Sequence, residues 1–94
     1  MGARKVILTP KAEEDLQEIF LYLAEFSLDA ANAQADKILA KIDLLAQFPR
    51  LGRILPDYNN TLFRELIVGP YLIAYYIVSD AQIDVLAIHR GGKA

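Results

Sequence analysis

The chain has 94 residues, with ten lysines and arginines, twelve aspartates and glutamates, one histidine and no cysteine. This length has room for a single domain and a single core, so residues 1–94 are expected to fold as one unit. The lack of cysteine excludes disulfides, thiolate metal clusters and a cysteine nucleophile, and it fits a reducing cytoplasm. The formal net charge of −2 argues against strong nucleic-acid binding, which usually requires a basic excess.

The amino-terminal part predicts a strand followed by a helix. Residues 4–9 form a short strand candidate that could add to a sheet, and their apolar run is too short for a secretory signal. Thr9 is typical of a helix N-cap, Pro10 fits the first helical position, and three acids at 13–15 favour the positive end of the helix dipole. The helix is predicted to run to about Phe26. Its apolar stripe consists of Ala12, Leu16, Ile19, Phe20 and Leu23.

A second helix is predicted from Leu28 to Phe48, with Ser27 as its N-cap. Pro49 ends it, because the residue before a proline is biased away from helical geometry. The connection between the two helices is short, so they are expected to form an antiparallel hairpin whose joint apolar face covers a sheet. The stripe of the second helix consists of Ala31, Ala35, Ile38, Leu39, Ile42 and Leu45.

Residues 50–60 are predicted to be irregular, and residues 62–88 to form a three-stranded meander. Two strands, 62–68 and 71–78, are separated by Gly69-Pro70, and a third, 82–88, follows a polar turn. The fold class is therefore α+β with two layers, in the order β-α-α-β-β-β, and an antiparallel sheet covered on one face by a helical hairpin. The uncharged run 66–78 is shorter than the ~18–20 residues of a membrane-spanning helix, so no membrane association is expected.

Both faces of the predicted meander are apolar, although the hairpin can bury only one of them. The second face is therefore predicted to bind a partner or to form a homodimer, unless the carboxyl-terminal tail folds over it. In the central strand, Leu72, Ala74, Tyr76 and Val78 belong to one face, and Tyr71, Ile73, Tyr75 and Ile77 to the other.

The sequence gives little support to metal or nucleophilic chemistry. His89 is the only histidine, so a zinc site would consist almost wholly of carboxylates. Ser27 and Ser79 stand at expected cap and turn positions, without the glycine pattern of a nucleophile elbow. No metal and no cofactor are expected, and His89 is either a polar residue that ends the last strand or a contact to a partner.

Several basic side chains could contact a phosphate or an acidic partner. Because Arg64 and Glu65 are neighbours in a strand, they point to opposite faces, so at least one of them faces away from the helices. Arg64 is either paired with a carboxylate such as Asp84 or Asp57, or it contacts a partner. The basic set consists of Arg50, Arg53, Arg64, Arg90 and Lys93.

Four segments together resemble the ParE branch of the RelE/ParE toxin superfamily. They are TPKAEEDLQEIFLYL at the first helix, FPRLGR in the loop, RELIVGPYLIAYYI in the strand pair and VLAIHR at the end. The resemblance implies a toxin of a type II toxin–antitoxin or plasmid stabilization system that acts in the cytoplasm and is held inactive by a cognate antitoxin. ParE-type members are known to poison DNA gyrase, whereas RelE-type members cleave mRNA on the ribosome.

Departures from the RelE-type pattern argue against nuclease activity. Leu72 stands where an arginine follows the strand tyrosine in those enzymes, and Gly91-Gly92 replaces a basic residue in the tail. The remaining nuclease candidates are Arg64, His89 and Arg90, and a lone arginine in the basic position cannot supply acid, base and charge stabilisation together. Leu72 and the altered tail also depart from ParE, so potency and target are left open.

The sequence therefore predicts a non-enzymatic toxin that binds a protein target, with DNA gyrase favoured. The alternatives are a ribosome-dependent endoribonuclease and an inactive binding module whose open face only forms a homodimer. The antitoxin is expected to contact the open sheet face and the helical hairpin. The predicted partner-binding residues are Arg53, Arg64, Leu72, Ala74, Tyr76, Val78, His89 and Arg90.

Overall fold

A computed structural model describes residues 4–91 as a five-stranded sheet with two helices on one face. The strands lie in the order β1-β5-β4-β3-β2 across the sheet. The elements, in chain order, are β1 (Lys5–Leu8), α1 (Pro10–Ala24), α2 (Leu28–Asp43), a 3₁₀ turn (Leu44–Ala46), β2 (Arg53–Ile54), β3 (Phe63–Val68), β4 (Tyr71–Ser79) and β5 (Gln82–Arg90).

This architecture confirms the predicted α+β fold with a helical hairpin on one face of the sheet. Two details of the sheet differ. β1 pairs parallel with β5, so the sheet is mixed rather than wholly antiparallel. β2 lies inside the segment predicted to be irregular and pairs with β3 at the far edge. The hairpin thus carries the chain from one edge of the sheet to the other, and the meander brings it back.

Each helix begins at its predicted cap. The Thr9 Oγ1 accepts a hydrogen bond from the Ala12 N–H at 3.2 Å and donates one to the Val85 carbonyl at 2.9 Å, which ties the start of α1 to β5. The Ser27 Oγ accepts from the Ala30 N–H at 3.1 Å. Both caps satisfy amide groups that a helix leaves without a partner.

The carboxyl end of α2 differs from the prediction. The α-helix ends at Asp43, and a 3₁₀ turn replaces the α-helical continuation that was predicted up to Phe48. Tight turns of this kind are common where a helix ends, and Pro49 disfavours helical geometry at the residue before it. Leu39, predicted to be buried, is 38% exposed at the flank of the stripe.

The core lies between the hairpin and one face of the sheet. It is built from the helix stripes and from alternate residues of β3, β4 and β5, as the period of two requires. The tight turn between β3 and β4 requires Gly69, whose φ of 58° lies in the left-handed region. Pro70 fixes a negative φ, so the turn matches type II′, with glycine first. The buried core residues are Ala12, Ile38, Ile42, Leu45, Leu66, Tyr71, Ile73, Tyr75, Ile77, Ile83, Val85 and Ile88.

Neither helix in the described range 4–91 has the length and apolar character that a membrane crossing would need.

Candidate partner-binding surface

The face of the sheet turned away from the helices, called here the open face, carries a row of apolar side chains. Cross-strand pairing places Leu72 opposite Ile67 on β3 and opposite His89 on β5. Tyr76 lies opposite Phe63 on one side and Asp84 on the other. No second layer of helix or strand from residues 4–91 covers this face. The four open-face residues predicted from β4 are therefore neighbours on one surface.

The open face is nevertheless less exposed than the sequence analysis expected. The Tyr58 ring packs edge-on against Phe63 at 4.6 Å, and Phe63 packs against Tyr76 at 4.5 Å. At the other end Gly91 lies so close that an added Cβ would be 3.0 Å from Leu72. Leu72 and Tyr76 are consequently half-buried within the chain.

The most exposed apolar positions on this face are two β-branched residues. Val78 is 42% exposed and Ile67 is 53% exposed. Together with the half-buried residues between them they leave an apolar strip that a partner could cover.

An ion pair with one buried and one exposed partner borders this strip. The Arg53 Nε and Nη2 donate to Glu65 Oε1 at 3.0 and 2.7 Å. The Glu65 side chain is only 7% exposed, whereas the Arg53 side chain is 60% exposed. Glu65 lies opposite Ala74, whose small side chain leaves room for it. The sequence analysis did not assign Arg53 an intramolecular partner, and its charge is already matched by Glu65.

Arg64 lies on the helix-covered side of the sheet, opposite the buried Tyr75. Its Nε donates to the Thr61 carbonyl at 2.9 Å, and its Nη1 donates to the carbonyls of Gly52 at 2.9 Å and Arg50 at 3.3 Å. Of the two alternatives for Arg64, the pairing with Asp84 or Asp57 was wrong, because backbone oxygens take the place of a carboxylate. The division of Arg64 and Glu65 between opposite faces is confirmed.

His89 and Arg90 end β5 and point to opposite faces of the sheet, as neighbours in a strand must. His89 is exposed beside Leu72 on the open face. The Arg90 guanidinium lies 5.9 Å from the centre of the Tyr71 ring, a cation–π contact.

The structure does not bring the three nuclease candidates together. Arg64 is on β3 and Arg90 is on β5, with β4 between them, and their partners on β4, Tyr75 and Tyr71, are four residues apart. Strand spacing places the two arginine backbones about 16 Å apart. His89 faces the other side of the sheet from both.

Asp15 is a buried carboxylate that the sequence analysis treated only as a helix-dipole residue. Its Oδ2 accepts the Ile88 N–H at 2.9 Å, and its Oδ1 accepts from Lys11. β1 ends opposite Val85, so the β5 backbone beyond that residue has no strand partner on this side. There the Asp15 carboxylate, in place of a neighbouring strand, accepts the hydrogen bond from the β5 backbone. Burial raises the pKa of Asp15, but the bonds from Lys11 and Ile88 outweigh it and hold the pKa below its ordinary value.

The position of Asp15 in the sequence could have indicated that its side chain is buried. Ala12, Asp15, Leu16 and Ile19 follow helical spacing, so the acid interrupts an otherwise apolar stripe. A groove of about 290 Å³ opens beside Asp15, between α1 and the end of β5.

A second exposed apolar surface lies where the two helices meet, and it is called here the hairpin tip. Two of its members are adjacent near the end of α1, one lies in the connection between the helices, and one is the first residue of α2. The Tyr22 and Phe26 rings contact edge-on at 5.4 Å. The exposed residues of the hairpin tip are Leu21, Tyr22, Phe26 and Leu28.

Comparison with known proteins supports this fold and shows the family to which the chain belongs. The chain matches, over residues 6–94, the family model described as ParE toxin of type II toxin-antitoxin system, parDE. It is 33% identical over 89 residues to Toxin RelE2 of Caulobacter vibrioides, covering 95% of this chain and 97% of that protein.

Two solved structures share the fold. The chromosomal ParDE toxin–antitoxin system from P. aeruginosa superposes with a TM-score of 0.77 at 22% identity, covering 96% of this chain and 98% of that one. The RelBE2 toxin–antitoxin complex from Mycobacterium tuberculosis gives a TM-score of 0.60 at 20% identity, covering 99% and 97%. Since the family model spans nearly the whole chain and the fold agrees with it, this protein belongs to the ParE family of type II toxins.

Proposed function

We propose that this chain arrests growth in the cytoplasm by binding a protein target, with DNA gyrase as the favoured target, and that a cognate antitoxin neutralises it. Family membership supports the toxin role. The hydrogen bonds of Arg64 are the observation that favours a protein target over RNA cleavage.

The Arg64 guanidinium donates to three backbone carbonyls, of Thr61, Arg50 and Gly52. Nε and Nη1 are committed in this way, so without releasing those carbonyls Arg64 could offer a scissile phosphate only its Nη2. Releasing the part-buried Gly52 carbonyl would cost about 1–3 kcal/mol. Arg90 and His89 lie on different faces of the sheet and do not compensate. The arrangement therefore favours binding over phosphate chemistry.

Induction of the toxin without an antitoxin tests this function. Growth should stop, and plasmid DNA from the arrested cells should show altered supercoiling. The matched control is induction of the chain together with the antitoxin-like protein of the adjacent reading frame, which should restore growth. Arrest with unchanged supercoiling would remove gyrase as the target, and normal growth would remove the toxin role.

The second candidate is a ribosome-dependent endoribonuclease, favoured by the name of the relative Toxin RelE2. Mapping of mRNA ends after induction separates the two functions. Cuts in phase with codons that disappear in an Arg90→Ala variant would support cleavage and contradict the proposal.

The antitoxin is proposed to cover the open face and the hairpin tip, because both carry apolar side chains that are exposed in the described part of the chain. The contacts within this complex are proposed to include Leu72, Tyr76 and Val78. A homodimer through the open face would compete with the antitoxin for the same strip. Measuring the mass of the purified chain with and without the antitoxin distinguishes the two assemblies.

A further inference from the structure

The segment that follows α2 forms a third exposed apolar surface, separate from the open face and the hairpin tip. Leu44 is 43% exposed, Phe48 is 54% exposed and Leu51 is 44% exposed. Phe48 and Leu51 line a shallow cavity of about 410 Å³ together with Arg50. We call the surface formed by Lys41, Leu44, Phe48, Arg50 and Leu51 the loop surface.

The backbone beneath the loop surface is held by two side chains from the sheet. The Tyr75 hydroxyl donates to the Pro49 carbonyl at 2.8 Å and accepts the Gly52 N–H at 2.9 Å. Arg64 donates to the carbonyls of Arg50 and Gly52. Burial raises the pKa of Tyr75, so its hydroxyl stays protonated and able to donate.

Gly52 completes the attachment. A Cβ at this position would lie 2.6 Å from the Glu65 carbonyl oxygen and 2.8 Å from the Tyr75 ring, so only glycine lets the loop approach the sheet this closely. The loop backbone is thus held against the sheet while its large apolar side chains face water. A surface that is ordered in advance loses little entropy on binding, and this raises affinity.

The charges beside these apolar residues that lack an ion-pair partner within residues 4–91 are positive. The ion pairs within residues 4–91 are Lys11–Asp15 and Arg53–Glu65, so Lys41 and Arg50 have no acidic partner in that range. Lys41 lines a second cavity next to Leu51, and the other charged residues of that cavity are the paired Arg53 and Glu65. Asp43 is the nearest acid in α2, but two residues correspond to about 200° of rotation, which places it on the other side of the helix from Lys41.

We propose that the loop surface docks an acidic segment of the protein on which this toxin acts, with apolar side chains beside its carboxylates. The apolar residues would enter the cavity between Phe48 and Leu51, and the carboxylates would pair with Lys41 and Arg50. Arginine and aromatic residues are the types that most often anchor interfaces. The inference rests on the proposed function, since it takes the target to be a protein.

This assignment leaves the antitoxin and the target on different surfaces. The hairpin tip and the loop surface lie at opposite ends of α2, whose 16 residues span about 24 Å. Substitutions at one end should therefore leave binding at the other intact.

Charge and size substitutions test the proposal in the growth assay. Phe48→Glu and Arg50→Glu should each raise the number of cells that survive toxin induction by about 100-fold or more, as expected for interface anchors. Both variants should still co-purify with the antitoxin. Asn59→Glu is the matched control: the same charge on an exposed loop residue outside all three surfaces should leave arrest by the free toxin unchanged. Each replaced side chain is exposed, so all three variants should unfold within a few degrees of wild type. Wild-type arrest by both loop variants, or loss of antitoxin binding by them, would overturn the proposal.

A second measurement does not depend on growth arrest. Benzoylphenylalanine replaces Leu51 in one sample and Phe26 in another, and the cells are irradiated. The Leu51 sample should give a covalent adduct whose partner peptide, identified by mass spectrometry, contains acidic and apolar residues. A synthetic peptide of that sequence should compete for the adduct, and Arg50→Glu should abolish it.

Absence of an adduct at Leu51, or an adduct to a basic segment, would refute the docking surface even if the toxin arrests growth. A specific adduct in a chain that does not arrest growth would instead refute the proposed function and leave the surface standing.

Discussion

The two faces of the sheet carry similar side chains and have different physical roles. In β4, Tyr71, Ile73, Tyr75 and Ile77 are all buried under the helices, whereas their neighbours on the open face are half-buried or exposed. The difference arises from the hairpin, which covers one side only. Apolar area on the covered face stabilises the fold, while on the open face it is available to a partner.

The largest effect on folding should come from truncating the covered face. Ile73→Ala removes a side chain with 0% exposure and should cost about 2–5 kcal/mol through lost burial and a residual cavity. Leu72→Ala, its half-buried neighbour, should cost about 1 kcal/mol. Thermal unfolding measures both, since 1 kcal/mol shifts the midpoint of such a domain by roughly 4–8 °C. Equal losses at the two positions would mean that the open face is as well packed as the core.

On the open face, the same position should matter more for binding than for folding. Leu72→Glu places a charge in the proposed antitoxin interface and should weaken the complex by about 30-fold or more, equivalent to about 2 kcal/mol. Isothermal titration with the antitoxin of the adjacent reading frame measures this. Asn59→Glu adds the same charge on an exposed loop and serves as the control. Unchanged affinity of the Leu72 variant would move the interface elsewhere.

Two adjacent tyrosines sharpen the comparison further. Tyr75→Phe removes a buried hydroxyl that serves Pro49 and Gly52, and leaving those groups unpaired should cost about 1–3 kcal/mol. Tyr76→Phe removes a hydroxyl on the open face, and its effect should stay within about 0.5 kcal/mol. Chemical denaturation of both variants measures the difference. A similar cost for the two would mean that the loop is not held by the Tyr75 hydroxyl.

Much of the fold was predictable because local signals agreed with it. Thr9-Pro10, Ser27 and Gly69-Pro70 each mark an element boundary by chemistry that acts within a few residues. Periodicity could not show the parallel pairing of β1 with β5 or the two-residue β2. Both depend on contacts between residues far apart in the sequence.

The surface was harder to predict than the fold. Alternation in β4 separated its two faces, but it could not show that Tyr58 and Gly91 partly cover the open one. The partners of Arg64 were also hidden, because backbone carbonyls of a distant loop leave no residue-type signature. Whether the eight predicted residues bind a partner stays a prediction.

Asp15 provides the last and smallest test, on the covered side of the sheet at the edge of β5. Its pKa lies below the ordinary value of 3.8, so the carboxylate contributes stability that is complete above about pH 4 and is lost as the pH falls through its folded-state pKa. Asp15→Asn keeps an oxygen for the Ile88 N–H but loses the charge that binds Lys11. It should cost about 1 kcal/mol near pH 7 and flatten the loss of stability at acid pH.

Urea denaturation at about pH 7 and about pH 3 measures both effects. Asp36→Asn, the same change at an exposed acid in the middle of α2, is the matched control and should leave the pH dependence as in wild type. The wild type should lose stability between the two pH values by more than the Asp15 variant does, because only the wild type must protonate Asp15. Equal losses of stability in the wild type and the Asp15 variant would show that the part of β5 beyond Val85 does not depend on the charge of Asp15.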